Sequence, residues 1–308
     1  MSKNPYQTTP EQLAVAIGYK NKSLIADQVM PRVPVRKKNF EYNVFDKREG
    51  FTVPDTQVGR KSELNMASFG SEKVPGVAKD YGLRDIIPND DAAETAGEGL
   101  PSAVGRATAK LTSLIHLDRE VRVADKVFNN ANYDHKVSLA AAARYGAAGV
   151  NPIGSILEYL ETPLVRPNVA VFGQTAWTKF RTNPSVVKAA HGNDGDAGAA
   201  TRQAVMDLFE LQGLYVGDAF VNIAKPNRAA QMTRTWGNNI ALLHIAEMFD
   251  GTDEILTWGF TPQFGSWVTG QREVANIGLR GGVEVKVGES VGEVVSAKGA
   301  GFFIENAG

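Results

Sequence analysis

The groups through which this chain could do acid–base or metal chemistry are four histidines, His116, His135, His191 and His244, and 34 acidic residues; there is no cysteine. A metal centre or an acid–base pair needs such groups convergent on one face. His116 precedes Asp118 by two residues and Glu120 by four. On a helix only Glu120 shares its face, which is too few ligands for a metal site. His244 lies in an apolar run and is expected to be a hydrogen-bonded core residue. Asn193-Asp194-Gly195-Asp196 has the flavour of a calcium loop but lacks the following glycine and the distant glutamate in register. Gly278-Leu279-Arg280-Gly281-Gly282 fits no phosphate-loop spacing and reads as a turn with close backbone packing. Asp90-Asp91 and Asp253-Glu254 are adjacent in sequence, which does not make a catalytic pair. Trp177, Trp236, Trp258 and Trp267 are expected in a core or interface rather than on a stacking platform. Without cysteine, thiol catalysis, disulfides and Cys-ligated zinc or iron–sulfur sites are excluded. No nucleophile-elbow, zincin, P-loop or dinucleotide fingerprint occurs. The chain therefore reads as a non-enzyme, with no catalytic, metal or cofactor site.

The elements tell more than the reactive groups do. The 308 residues favour about two domains. Hydrophobic residues are 43%, and 33 basic against 34 acidic residues give a net charge of −1. A protein whose main task is gripping nucleic acid is usually clearly basic. No apolar run approaches the ~18 residues of a membrane span, and the start, MSKNPYQTTPEQ, does not read as a signal peptide. The chain instead turns on residues 102–131. There Val104, Ala107, Leu111, Leu114, Leu117, Val121, Ala124 and Phe128 recur at helical spacing. Ser102 is placed to cap the start, Asp118 and Arg122 form a favourable i,i+4 pair, and no Gly or Pro falls between Arg106 and Asn132. At 1.5 Å per residue, roughly 26 residues make a rod of about 40 Å. Such a rod needs cover along its whole length.

Before the rod, residues 10–30 read as a short helix broken near Gly18. A basic connector, Arg32, Arg36, Lys37 and Lys38, follows; it is either solvated or paired with an acidic neighbour. Phe40–Val44 alternates like a strand, and residues 46–70 are polar and punctuated by Gly50, Pro54, Gly59 and Gly70. An excursion that long buries little by itself, so a hairpin arm covered by another copy of the chain is expected. Residues 89–101 read as an acidic linker. From Asn151 to about 265, helices and strands alternate as an α/β or α+β lobe. From Trp258 onward the chain is β, with Val283, Val285 and Val287 alternating with Glu284, Lys286 and Gly288 as in a sheet with one wet face. These last strands are expected to cover the rod, with the lobe inserted between them.

In combination, four segments resemble the tailed-bacteriophage major capsid proteins: AIGYKNKSLIADQVMPRVPVRKKNFEYNVFDKREGFTVPDTQVGRKSE, GRATAKLTSLIHLDREVRVADKVFNNANY, RPNVAVFGQTAWTKFRTNPSVVKAAHG and NIGLRGGVEVKVGESVGEVVSAKGAGFFIENA. Each is a weak pattern alone; their order and spacing are specific. The resemblance implies an α+β capsid fold: an N-terminal arm (1–38), an extended hairpin loop (39–80), a peripheral domain (81–150 and 266–308) with the spine helix, and an axial domain (151–265). It implies a structural subunit whose hexamers and pentamers close an icosahedral shell around double-stranded DNA. The implied partners are other copies of the chain, a separate scaffolding protein, a portal protein and the packaged DNA, with no membrane and no cofactor. The implied place is the virion, after assembly in the host cytoplasm. Intersubunit contacts are expected at Arg32, Arg36, Lys37, Lys38, Arg48, Glu49, Arg60, Lys61 and Glu63. Some members crosslink a loop lysine to a neighbour's asparagine, but nothing around Lys47 or Lys61 supports that here. The competing reading, a small-molecule-binding or enzymatic protein using the 151–265 lobe, requires a pocket of convergent polar groups.

Overall fold

The structure, a computed structural model, describes residues 6–7, 9–18, 21, 23–44, 53, 55–60, 62–63, 72–94, 102–192, 198–225, 227–246 and 256–308. In chain order its strands are β1 (Arg32–Val35), β2 (Asn39–Val44), β3 (Glu72–Val77), β4 (Lys79–Pro88), β5 (His135–Ser138), β6 (Val169–Gly173), β7 (Gly213–Gly217), β8 (Phe220–Asn222), β9 (Met232–Arg234), β10 (Ile240–Leu243), β11 (Gly259–Phe264), β12 (Val268–Val274), β13 (Gly282–Val291), β14 (Val294–Val295) and β15 (Gly301–Glu305). Two sheets organise them. In the six-stranded sheet β13 lies between β12 and β4, antiparallel to both, and its end meets β11, which carries β1 and β14. The five-stranded sheet runs β5-β15-β10-β6-β7.

The long helix spans Ala103–Val127 and serves both sheets. The Ser102 hydroxyl accepts the Gly105 amide at 3.1 Å, capping the start as its residue type favours. In the first half Ala107, Leu111 and Ile115 pack on Val285, Val287 and Ile87 of the six-stranded sheet. In the second half Val123, Ala124 and Val127 pack on Val171, Ala241 and Phe303 of the five-stranded sheet. A fully buried Val or Ile stabilises by roughly 1.5–3 kcal/mol, so each half is anchored independently.

The expected stripe is corrected. Leu114 is 53% exposed, and Val104, Leu117, Val121 and Phe128 are only half-buried. The buried line steps instead through Leu111, Ile115, Arg119, Val123 and Val127. Steps of four residues turn the line by about 40° each at 100° per residue, so the buried face rotates as the helix passes from one sheet to the other. The helix also stops before the expected residue 131, and residues Asn130–Asn132 form a separate 3-10 turn.

The closing strands do cover the rod, but from two sheets: Val285 and Val287 of β13 lie on its first half and Phe303 of β15 on its second. β15 pairs with β10 on one side and β5 on the other, inside the five-stranded sheet, whereas β11 joins the six-stranded one. Sheet membership therefore crosses the expected boundaries at 150 and 265. Four helices, Pro152–Glu161, Gln174–Arg181, Pro184–His191 and Arg202–Phe209, flank the five-stranded sheet. Asn183 makes the break between the middle two: its Oδ1 accepts the Ser185 amide, and its Nδ2 donates to the Tyr145 and Val150 carbonyls.

β2 and β3 pair over six residues, from Asn39↔Val77 to Val44↔Glu72, as a two-stranded ladder outside both sheets. Among the described residues its apolar anchors are Phe40 and Tyr42, packed against Val33, Phe260 and Val294.

Candidate functional site

No described group of three or more His, Asp or Glu is arranged to hold a metal, and no described helix is long and apolar enough to cross a membrane. The histidines are scattered. His116 packs against Trp267, with ring centroids 5.2 Å apart. His244 makes a hydrogen-bond contact of 3.2 Å between Nδ1 and the Arg166 carbonyl, but it is half-buried rather than a core residue. Trp177, Trp236 and Trp258 are fully buried core residues and Trp267 is half-buried. The Asn193–Asp196 loop and Asp253-Glu254 lie outside the described residues. At the Gly278–Gly282 turn, Gly278 and Gly281 take positive φ of 56° and 74°, a conformation that glycine adopts freely. The Asn89 amide and side chain bind the Gly281 and Arg280 carbonyls there, so the turn is structural.

The chemistry that the chain does concentrate lies at the middle of the long helix. Arg119 and Glu120 are 1% and 0% exposed. The Glu120 carboxylate accepts the main-chain amides of Ile25 and Ala26, at 3.0 and 2.8 Å, and the Trp236 Nε1–H at 2.6 Å. The two amides open the short helix Ala26–Val29, where the positive end of the peptide dipoles favours a carboxylate. Trp236 in turn lies flat on Gly217, where any Cβ would meet its ring. Arg119 donates to Asp27 at 2.5 Å, to the Met30 carbonyl at 3.1 Å and to Thr261 at 3.0 Å. Asp27 also takes Arg32, whose other arm pairs with buried Glu289 on β13. Burial pushes Glu120 above the ordinary glutamate value, against the lowering pull of its hydrogen bonds. Burial would also raise Asp27, but Arg119 and Arg32 outweigh it and hold the carboxyl below its ordinary value. The arrangement clamps the N-terminal segment to the helix and to both sheets.

A second cluster corrects the expectation of a wet face on β13. Glu284 is 1% exposed. It takes Arg272 at 2.6 Å, Arg84 at 2.9 Å and the Tyr6 hydroxyl at 3.1 Å. Burial would raise it, yet these donors bring it below the ordinary value. Tyr6 is covered by Lys286 and Arg272, and Gln7 bridges to Gln271 at the edge of β12. The outer face of the sheet is thus roofed by the start of the chain.

The residues expected at intersubunit contacts divide. Arg32 is bound within its own chain by Asp27 and Glu289. Lys38 binds Asp80 at 2.5 Å. Arg36, Lys37, Arg60 and Glu63 are exposed. Arg48, Glu49, Lys61 and also Lys47 lie outside the described residues. The buried functional pair, Arg119 and Glu120, was not among the expected contacts. Its only sequence signal is two charged residues interrupting a helical stripe.

Two sheets strung on one long helix, with a two-stranded ladder outside both and a roofing N-terminal segment, make up the fold of the tailed-phage capsid proteins. A phage-related protein from Bordetella bronchiseptica has the same fold, with a TM-score of 0.76 over 98% of each chain at 20% identity. The capsid of cyanophage P-SCSP1u matches with a TM-score of 0.61 over 93% of this chain and 89% of that one, at 9% identity. No family model matches the chain. In sequence, it is 40% identical to the major capsid protein of Pseudomonas phage JBD67 over 312 aligned positions, covering 100% of this chain and 99% of that one. The major capsid protein of Burkholderia phage BcepMu is 29% identical over 240 positions, covering 75% of this chain and 74% of that one. The chain belongs to the major capsid proteins of bacteriophages, and is a structural subunit of the capsid rather than an enzyme.

Proposed function

We propose that this subunit forms hexamers and pentamers that close an icosahedral head around packaged double-stranded DNA. In this reading residues 1–38 are the N-terminal arm and 39–80 the extended loop. The six-stranded sheet with the first half of the spine helix is the peripheral unit, and the five-stranded sheet is the axial unit. The observation that carries the reading is the β2–β3 ladder, which stands outside both sheets and packs, among the described residues, through Phe40 and Tyr42 on one strand. An isolated two-stranded ladder is marginal in water, so its cover comes from a neighbouring copy. Arg36, Lys37, Arg60 and Glu63 face that neighbour, with Arg48, Glu49 and Lys61 on the same loop. Wrapping contacts of this kind exceed the ~1,600 Å² of a standard interface. A net charge of −1 suits a lining that touches DNA without gripping it.

The remaining partners are a separate scaffolding protein and a portal protein, with assembly in the host cytoplasm. Co-expression with the scaffolding protein should give closed shells in micrographs, and deleting residues 48–66 should give a subunit folded by circular dichroism that closes none. Normal shells from the deletion would remove the loop as an interface; a monomer by light scattering from the wild type would remove the reading itself.

A further inference from the structure

Between β5 and β10, five large apolar side chains of the described residues stand in water, and they fall in two places. Phe220, Ile223 and Met232 are 46%, 55% and 57% exposed, on the hairpin that β8 and β9 form. Leu157 and Leu164 are 38% and 40% exposed, at and just past the end of the helix Pro152–Glu161. The hairpin pairs from Phe220↔Arg234 to Asn222↔Met232, and among the described residues neither strand pairs with any other. The Ile223 amide extends it by donating to the Gln231 carbonyl at 3.0 Å. Alternation puts Phe220 and Met232 on one face and Ile223 on the other, and none of the three enters a described core cluster. At the root, Arg234 pairs with Asp218 and lies over the Phe220 ring. A two-stranded ladder is marginal by itself, and this one has apolar groups to cover on both faces.

The two places are opposite in charge. At the hairpin tip the Arg228 amide closes a turn on the Lys225 carbonyl at 3.1 Å, and both side chains are exposed. On the helix Glu158 and Glu161 are exposed beside Leu157, and Leu157 and Glu161, four residues apart, share a face. The described ion pairs of this part of the chain, Arg166–Glu210 and Arg234–Asp218, use none of these charges. The two glutamates also close a helix, where the peptide dipoles favour a cation, and its last turn has no base of its own.

The two places also lie apart. β7 is the terminal strand of its sheet, and the hairpin follows the Gly217 end of it. The helix lies over β15, three strands away, where Tyr159 stacks on Phe302 at 4.4 Å. Past the helix the chain runs to the Val169 end of β6, where Arg166 meets the Phe209 carbonyl and His244. Three strand spacings and one strand length are about 14 Å and about 17 Å, so the cover for one place is the other place on a second copy. Symmetry agrees. A two-fold contact of the hairpin with itself, or of the helix end with itself, sets like charges together. A contact between two different patches is heterologous and closes into a ring when its rotation divides a full turn.

We propose that the β8–β9 hairpin docks on the end of the helix Pro152–Glu161 of the next copy around a hexamer or pentamer. Its apolar side chains cover Leu157 and Leu164, and Lys225 and Arg228 meet Glu158 and Glu161. This contact rests on the shell-subunit reading and adds to it two patches and a direction around the ring. Opposite charges at the rim of such a contact also set which way round two copies meet.

Because the chain has no cysteine, introduced thiols report the contact directly. Shells of the Leu157→Cys/Met232→Cys variant, treated with a short bis-maleimide, should run on a denaturing gel as a ladder that ends at hexamers. Shells of either single variant should stay monomeric. Dimers from Met232→Cys alone would set hairpin against hairpin, and intact shells of the double variant with no ladder would separate hairpin from helix. Either result overturns the docking and leaves the shell reading standing. If the cysteine variant closes no shells, charge reversal reads the same contact. Lys225→Glu/Arg228→Glu and Glu158→Lys/Glu161→Lys should each fold by circular dichroism and lose most particles, and the four changes together should restore them. Failure of the four to restore particles overturns the proposal, as it would if the basic tip met DNA instead. Absence of shells from the wild type would instead sink the shell reading on which the contact rests.

Discussion

In the five-stranded sheet, β6 and β10 bury every residue and β15 buries its first four. Rings fill the space above them: Phe172, Trp177 and Phe180 meet within 5.3–6.3 Å, and Tyr159 stacks on Phe302 at 4.4 Å. In the six-stranded sheet, the central strand β13 buries two glutamates, Glu284 and Glu289. Both are met by arginines, and the clamp around Asp27, Arg119 and Glu120 lies beside them. Apolar packing is non-directional and tolerates small shifts. Charged hydrogen bonds are directional, and a buried charge that loses its partner is costly. One sheet is therefore a core in the ordinary sense, and the other is a set of keyed joints to the start of the chain.

The contrast can be broken in order of expected size. Phe180→Ala, in the core of the five-stranded sheet, should cost about 3–5 kcal/mol by thermal or denaturant unfolding. A loss below ~1 kcal/mol would mean that this sheet is not held by packing. Glu120→Ala strands two buried main-chain amides and the Trp236 Nε1–H. We expect a loss of about 3 kcal/mol, together with faster hydrogen exchange at residues 23–30. Destabilisation with unchanged exchange there would show that Glu120 does not hold the N-terminal segment.

Acid should separate the sheets further. Asp27 and Glu284 have folded pKa values below their ordinary ones. Their stabilisation is therefore complete at neutral pH and is lost as pH falls through those folded values. Glu120 has the opposite sign: its raised folded value favours the protonated form, so its contribution is greatest in acid and shrinks as pH rises past the unfolded value. On acidification, amides of β13 and the N-terminal segment should lose exchange protection before those of β6 and β10; simultaneous loss would show no electrostatic difference. The smallest effect is expected at Leu114→Asp, within about 0.5 kcal/mol because the side chain faces water. Ile115→Asp, one residue on, should unfold the subunit.

That last pair marks what the sequence could disclose. The helix itself was legible, since Ser102 and the lack of Gly or Pro are local signals. Its buried face was not, because the line rotates to serve two sheets and includes Arg119 and Glu120. Their partners lie 92 and 116 residues away at Asp27 and Trp236, and no local pattern announces such pairings. The β2–β3 hairpin was legible from alternation and punctuation. The place of β15 was not: period-two alternation identifies a strand but not the sheet it joins. For the contact residues, exposure followed composition at Arg36 and Lys37, while Arg32 was bound by Asp27, five residues back, and by Glu289, far away in sequence.

Glu120 grips the N-terminal segment chiefly through the amides of Ile25 and Ala26. A grip on the main chain makes no use of the Ile25 and Ala26 side chains, which are held instead by their own burial. The exposed Gln28 on the same turn is free to vary while the joint keeps working. The helix side has no such freedom, since only a carboxylate of that length reaches both amides and the indole at once. Mutational scanning should find Glu120, Asp27 and the buried Ile25, Ala26, Val29 and Met30 intolerant and Gln28 permissive.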